Sequence, residues 1–197
     1  MTTVEQKQVW TPERFAQGLT WSQWMDKIQA NKERFQKFYD SFQVTPEEAK
    51  FFKDFDAKRG LKLVVIGADW CPDVVRGLPV VARLAEAAGL ELRAFVKEEN
   101  MDLMQEYLWR HKYESIPVVV LLDRNYDELG AWYERPAIAN KFSGETLAEL
   151  RNQNMSAEDV TKMLRERRET VQMEWMRETI REFKEHILYK VLWMPGD

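Results

Sequence analysis

The residue with the clearest chemical potential is Cys71, the only cysteine among 197 residues. It lies in the run A-D-W-C-P-D-V, between a β-branched segment and a stretch with helical periodicity. A thiol at a helix start lies at the positive end of the helix dipole, which favours the thiolate. Pro72 has the preset dihedral of a first helical position, and Trp70 could shield one side of the sulfur. We expect Cys71 to be a nucleophile in disulfide exchange, with an inert buried thiol as the alternative.

The elements that must position this cysteine follow from the hydrophobic pattern of the chain. Short β-branched runs predict strands, and longer periodic runs that end at Gly predict helices. Around Cys71 the pattern predicts, in order, a strand over 61–66, a helix over 71–88, a strand over 90–96, a helix over 101–112, and strands over 117–122 and 129–133. The strand-helix-strand unit requires a parallel pair, and the hairpin adds antiparallel strands. The predicted fold class is therefore α/β, a mixed β-sheet with helices on both faces.

Helical patterns flank this central unit. Thr20 begins a capping box with Gln23, and Thr45 and Ser156 are further N-cap candidates. Behind Thr20, apolar residues recur at helical spacing, which is typical of a face packed on a core, with a self-association face as the alternative. This stripe consists of Trp21, Trp24, Ile28, Phe35, Phe38 and Phe42.

The same patterns predict the domain organisation. We expect an N-terminal helical extension over 1–60, an α/β domain over 61–150 and a C-terminal helical extension over 151–197, packed as one body. The last part is dense in Arg and Glu with apolar residues on one side, which indicates a long helix with a solvated face over an apolar stripe.

Composition narrows the functional classes. The hydrophobic fraction of 45%, with eight Trp and ten Phe, predicts a folded chain with a large core. A net charge of −4 leaves no basic footprint, so nucleic acid is not an expected partner. No apolar run approaches the roughly 18 residues of a membrane helix, so no membrane association is expected. The N-terminus lacks a secretory pattern, and one cysteine cannot form an internal disulfide, so the expected location is cytoplasmic.

The run A-D-W-C-P-D-V, the later S-I-P-V-V-V and the order of elements resemble thioredoxin-fold oxidoreductases. The similarity is closer to a bacterial thioredoxin-like subfamily with a W-C-x-D motif, and it covers roughly Leu61 to Leu150. It implies a thioredoxin-like fold in which Cys71 is the attacking cysteine and Pro117 is a cis-proline beside it. Backbone around Pro117 would pair with an extended substrate like an added strand. The residues implied in substrate binding are Trp70, Pro72, Asp73 and Ile116.

Two departures from this family bear on the mechanism. Val74 stands in place of the second, resolving cysteine, and Val65 stands in place of a buried acid that assists proton transfer. The nearest carboxylates, Asp69 and Asp73, would raise the pKa of a neighbouring thiol, although Asp73 also suits the first turn of a helix. Arg76 could offset these acids, but we expect it on the solvated surface.

The resemblance and its departures predict monothiol thiol-disulfide exchange. Cys71 would attack protein or small-molecule disulfides, and an external thiol reductant, such as glutathione or another low-molecular-weight thiol acting as co-substrate, would release the mixed disulfide. No cofactor or metal is expected. The alternative is a catalytically silent binding or assembly module whose helical extensions form the working surfaces, with a homodimer as one expected assembly.

Other chemistries fit the residues less well. Ala68 replaces the Thr that precedes a peroxidatic cysteine in peroxiredoxins, and Pro72 replaces the Gly that follows the cysteine in cluster-binding monothiol glutaredoxins. A zinc site needs four N or S ligands, but the chain offers only Cys71, His111 and His186. The aromatic and polar run over 132–136 is expected to be a packed edge, with the lining of a groove near the cysteine as the alternative.

Overall fold

The structure, a computed structural model, describes residues 9–153 and 155–193 of the chain. Four helices precede the first strand, and two more close the described part. In chain order the elements are α1 (Pro12–Ala16), α2 (Trp21–Lys27), α3 (Lys32–Ser41), α4 (Pro46–Arg59), β1 (Lys62–Gly67), α5 (Pro72–Ala88), β2 (Glu91–Val96), α6 (Met101–Glu106), β3 (Val118–Leu122), β4 (Glu128–Tyr133), α7 (Ala137–Arg151) and α8 (Ala157–Trp193).

The four strands form one mixed sheet in the order β2-β1-β3-β4. Strand β1 is parallel to β2, with Val65 opposite Ala94, and antiparallel to β3, with Val65 opposite Val119. Strand β4 returns antiparallel to β3. Every residue of β3 is buried, so both faces of the sheet are covered. The predicted α/β fold with a mixed sheet and a long C-terminal helix is confirmed.

Helix α5 is the central helix of the fold. It begins at Pro72 and is stopped by Gly89, whose φ of 71° is the left-handed conformation that glycine adopts without strain. Gly77 allows the helix to approach the loop before β3, because a Cβ at this position would lie 3.3 Å from Pro117 Cγ. Pro72 at the first helical position and the close packing of Gly77 on Pro117 together place the start of α5 beside Pro117.

The predicted N-terminal stripe is divided between two helices rather than lying on one. The predicted capping box at Thr20 and the predicted N-cap at Thr45 are both present, and Thr45 also forms a capping box with Glu48. The break between α2 and α3 forms because the Asp69 carboxylate accepts hydrogen bonds from the backbone N–H groups of Gln29 and Ala30, each at 2.8 Å. These two amides are consequently bonded to a carboxylate, and the interruption ties the N-terminal helices to the loop before Cys71.

The predicted helix over 101–112 is wrong in its second half, since α6 ends at Glu106. The chain turns because the next residue, Tyr107, is drawn into the core. Its hydroxyl accepts a hydrogen bond from Trp10 Nε1 at 2.6 Å and donates one to Glu128 at 2.9 Å. Arg110 and His111 then adopt left-handed backbone conformations, which end any helix.

Helix α8 packs against β4 and α5, and α7 packs against α8. Helix α7 begins at Ala137, and α8 begins after Ser156 as predicted, with the Asp159 N–H donating to Ser156 Oγ at 3.1 Å. Trp132 donates to Glu182 at 2.5 Å and packs edge-on against Phe183. Among the described helices, none is both long and apolar enough to span a membrane.

Candidate functional site around Cys71

The structure brings Cys71, Ile116 and Pro117 together. Cys71 is the N-cap of α5, with φ −80° and ψ 121°, and the Val75 N–H donates to its carbonyl oxygen at 2.9 Å. Its Sγ lies 3.6 Å from the carbonyl oxygen of Ile116, and the Ile116–Pro117 peptide bond is cis. The sulfur at the helix start and the loop before β3 therefore form one continuous site.

Burial is the largest influence on the pKa of this thiol. Cys71 is only 8% exposed, and burial raises the pKa of its thiol. The backbone N–H groups of Val74 and Asp73 and the charge of Arg135 lower this pKa, whereas the charge of Asp73 raises it. The expectation of a thiolate favoured by the helix start does not hold for the net pKa, because desolvation of the charged form outweighs the backbone N–H groups there.

Trp70 and Pro72 lie at the surface on either side of the buried sulfur. Trp70 is 55% exposed, and its Nε1 donates to Glu98 at 3.0 Å. The Lys97 ammonium lies 6.0 Å from the centre of the Trp70 ring and 2.8 Å from the carboxylate of Glu114 in the loop before Pro117. The exposed Trp70 ring thus lies beside the site and is connected through Lys97 to the loop that contacts the sulfur.

Asp73 is the centre of a partly buried ion-pair network. Arg76 hydrogen-bonds to one of its oxygens, and Arg135 Nη2 lies 3.1 Å from the other. The prediction that Arg76 is a solvated surface residue is wrong, because it is 8% exposed and its guanidinium lies 4.9 Å from the centre of the Trp175 ring. A carboxylate on one side and an aromatic face on the other replace water around this buried cation.

Sequence reasoning placed Arg135 near the cysteine only as the alternative for the run over 132–136, and it did not find Trp175 as a neighbour of the site. Arg135 follows β4, and the preceding Glu134 has a φ of 58° and donates its N–H to the Pro117 carbonyl oxygen at 2.8 Å. This turn carries Arg135 to Asp73. The run over 132–136 is thus divided between a packed edge at Trp132 and a site neighbour at Arg135. For Arg135, the one local signal was a charged residue directly after a predicted strand.

With this geometry in view, comparison with known proteins identifies the family. A family model with the description Thioredoxin matches residues 18–151, which is more than half of the chain. The chain belongs to this thioredoxin family. Its matched region includes α2, α3 and α4 as well as the whole sheet.

Solved structures resemble the fold of this family member. A Pseudomonas aeruginosa protein of unknown function is 19% identical, with a TM-score of 0.63 over 88% of this chain and 94% of that chain. An HIV epitope-scaffold is 20% identical, with a TM-score of 0.61 over 89% of this chain and 96% of that one. No curated protein matches the sequence. At 19% and 20% identity, these two similarities show the fold alone.

The two departures from the thioredoxin motif lie in the core. Val65 in β1 and Val74 in α5 are both fully buried. Val74 packs closely on Gly67, since a Cβ at this glycine would lie 2.8 Å from Val74 Cγ1. Within residues 9–153 and 155–193, no three His, Cys, Asp or Glu side chains are grouped closely enough to hold a metal ion. The chemistry available at this site is that of one thiol and its neighbours.

Proposed function

We propose that this thioredoxin-family protein carries out monothiol thiol-disulfide exchange through Cys71. The observation that supports it best is the 3.6 Å separation of Cys71 Sγ from the Ile116 carbonyl oxygen, at the start of α5. This placement puts one sulfur beside an irregular backbone segment next to a strand, where an extended disulfide substrate can pair with main-chain groups. Trp70 and Pro72, both exposed, would contact the substrate on the outer side.

The exchange takes two balanced steps. The Cys71 thiolate attacks one sulfur of a disulfide, so that a new S–S bond to Cys71 forms, the original S–S bond breaks and one thiolate leaves. An external thiolate then attacks the mixed disulfide, regenerating the Cys71 thiolate and forming a new disulfide with the released group. An external thiol is required because the buried Val74 occupies the position of a resolving cysteine. A reducing setting such as the cytoplasm, which supplies low-molecular-weight thiols, is part of the proposal.

The raised pKa of Cys71 sets the pH dependence of this reaction. Below its pKa, the thiolate fraction and hence the rate of attack rise about tenfold per pH unit. Because burial raises this pKa, the rate continues to rise above the value of about 8.5 at which a free cysteine levels off. A thiolate of higher pKa is also the stronger nucleophile, which offsets part of its low population.

The test is the reaction of the native chain with glutathione disulfide over a series of pH values. Intact-mass measurement follows formation of the adduct on the single cysteine, and added reduced glutathione then follows its release. The matched control is the same chain unfolded in urea, whose thiol has an ordinary pKa. We expect the folded chain to react faster per thiolate than the unfolded chain. A slower reaction per thiolate in the folded chain would contradict the proposal.

A second candidate is the catalytically silent binding or assembly module. The burial of Cys71 and its raised pKa favour this candidate, because an inert core thiol shows the same two properties. In that case Cys71→Ser would leave partner capture and oligomeric state unchanged, and no mixed disulfide would be trapped from native substrates. Loss of trapped partners in Cys71→Ser would instead support the exchange reaction.

A further inference from the structure

A cavity of about 650 Å³ lies beside the first turn of α5, outside the group formed by Cys71, Ile116 and Pro117. Its walls come from α3, α5, the turn after β4, α7 and α8. Five arginines line it, and they are contributed by four different parts of the chain: Arg34, Arg76, Arg135, Arg165 and Arg168. Its size falls within the range of about 300–1,000 Å³ that is usual for small-molecule sites.

The charge of this cavity is opposite to that of the chain. Five arginines and two carboxylates, Asp73 and Glu169, line it, and Glu134 beside the lining pairs with Arg135 at 3.3 Å, which leaves an excess of two positive charges. The whole chain has a net charge of −4. Cations gathered in a concave, partly desolvated space repel one another, so an anion bound among them would be stabilised more strongly than on an open surface.

The carboxylates do not satisfy these arginines. Asp73 is shared by Arg76 and Arg135, and Arg135 Nε is a buried donor with no hydrogen-bond partner among the described residues. Within the described residues, the ion-pair partner of Glu169 is the outer Arg34, at 3.6 Å. A buried N–H without an acceptor is uncommon, and its position in the wall of a cavity indicates where an acceptor from a ligand would bind.

Two arginines of α8 complete the cationic wall. Arg168 Nε donates to Ser143 Oγ at 3.2 Å, and neither Arg168 nor Arg165 has an ion-pair partner in the described part of the chain. Burial, together with the nearby charge of Arg135, lowers the pKa of Arg168, as expected for a cation surrounded by other cations. Both side chains are thus available to a ligand.

From this arrangement we infer that the cavity binds a small organic anion carrying at least two carboxylate or phosphate groups. Guanidinium groups recognise both kinds of group through paired N–H donors, and several lie at separate points of this wall. Gln172 offers a polar side chain and Trp175 an aromatic one in the same lining. This binding needs no thiol, although the cavity shares Pro72, Asp73 and Arg135 with the surroundings of Cys71.

The experiment is isothermal titration calorimetry, in which citrate is added to the Cys71→Ser variant at constant ionic strength and the heat of binding is measured, with inorganic phosphate as a competitor. We expect saturable binding at one site that phosphate weakens. Arg168→Gln should reduce the affinity by about tenfold or more, because it removes a paired donor from the wall. Arg165→Gln is a second, exposed variant that should weaken binding in the same direction.

The matched control is Arg181→Gln, which removes the same charge from α8 at a position outside the cavity. Its affinity for citrate should stay within about twofold of that of the Cys71→Ser chain without a further change, since an exposed charge at a distance is screened by salt. Absence of saturable citrate binding in that Cys71→Ser chain would overturn the inference. Equal weakening by Arg168→Gln and Arg181→Gln, in variants with unchanged melting temperatures, would overturn it as well.

Discussion

Arg135 and Asp73 are joined across the site by an ion pair, with Arg135 Nη2 3.1 Å from Asp73 Oδ2. This pair connects the turn after β4 to the first turn of α5, one residue beyond Pro72. The two charges act on the Cys71 thiol in opposite directions, since Asp73 raises its pKa and Arg135 lowers it. Because burial is the largest influence on the same pKa, the pair modulates the reactivity of the thiol rather than determining it.

Opposite shifts are therefore expected from two single substitutions. Asp73→Asn removes a negative charge and should lower the pKa of Cys71, whereas Arg135→Gln removes a positive charge and should raise it. The measurement is the pH dependence of the alkylation rate of the single cysteine. Arg124→Gln, beyond the other end of β3, is the control and should leave the profile unchanged. Shifts of the same sign in both site variants would contradict this electrostatic account.

The same network predicts a loss of stability. Asp73→Asn removes the charged partner of the buried Arg76, and a buried charge left without its partner costs about 3–5 kcal/mol. Urea unfolding should show this decrease in the free energy of unfolding. Asp54→Asn breaks the exposed ion pair with Lys50 and should cost only about 0–1 kcal/mol. Similar losses in the two variants would show that Arg76 does not depend on Asp73.

Local signals explain what could be predicted from the sequence. The capping box at Thr20, the N-cap at Thr45 and the strand-helix junction at Cys71 depend on residues within a few positions of one another. The mixed sheet also follows from local patterns, because a strand-helix-strand unit gives a parallel pair and a hairpin adds antiparallel strands, whereas the strand order comes only from the structure. These local patterns are enough to predict that Cys71 lies at the start of α5.

Long-range partners explain what could not be predicted. Arg76 was expected in solvent because charged residues usually lie there, but its burial depends on Trp175, which no local pattern connects to it. The pKa direction of Cys71 likewise depends on how completely tertiary packing covers the sulfur. A helix start alone gives the sign of the dipole effect, and only the fold gives the opposing desolvation.

Asp69 should prove to be a structural residue rather than a proton acceptor. Its carboxylate accepts the N–H groups of Gln29 and Ala30, so Asp69→Ala should reduce the free energy of unfolding by about 2–3 kcal/mol. Hydrogen exchange at those two amides should become faster. Asp69→Asn retains one acceptor oxygen, so its free energy of unfolding should decrease less than that of Asp69→Ala. Unchanged exchange at both amides in Asp69→Ala would contradict this role.

Tyr107 should make stability fall at alkaline pH. Burial, followed by the charge of Glu128, raises the pKa of Tyr107 far above its ordinary value of about 10. The folded state therefore keeps this proton while the unfolded state loses it, so the contribution of Tyr107 to the free energy of unfolding is complete below about pH 10 and declines above it.

Tyr107→Phe should cost about 1–3 kcal/mol near neutral pH by leaving Trp10 and Glu128 without a partner. Urea unfolding of this variant should then show a smaller alkaline decline, and an unchanged decline would contradict the assignment.

A second thiol at position 74 should change how the mixed disulfide is resolved. Val74 is one helical turn beyond Cys71 and fully buried on Gly67, so Val74→Cys removes little volume and should cost about 1 kcal/mol. After reaction with glutathione disulfide, the native chain should keep its adduct until a thiol is added. In the variant, the introduced thiol should attack the adducted Cys71 sulfur, release glutathione and leave an internal disulfide, which intact mass distinguishes. Val74→Ser should keep the adduct as the native chain does. If Val74→Cys kept it equally long, the two positions would not have the geometry of a thioredoxin-type pair, and resolution from within the helix would be ruled out.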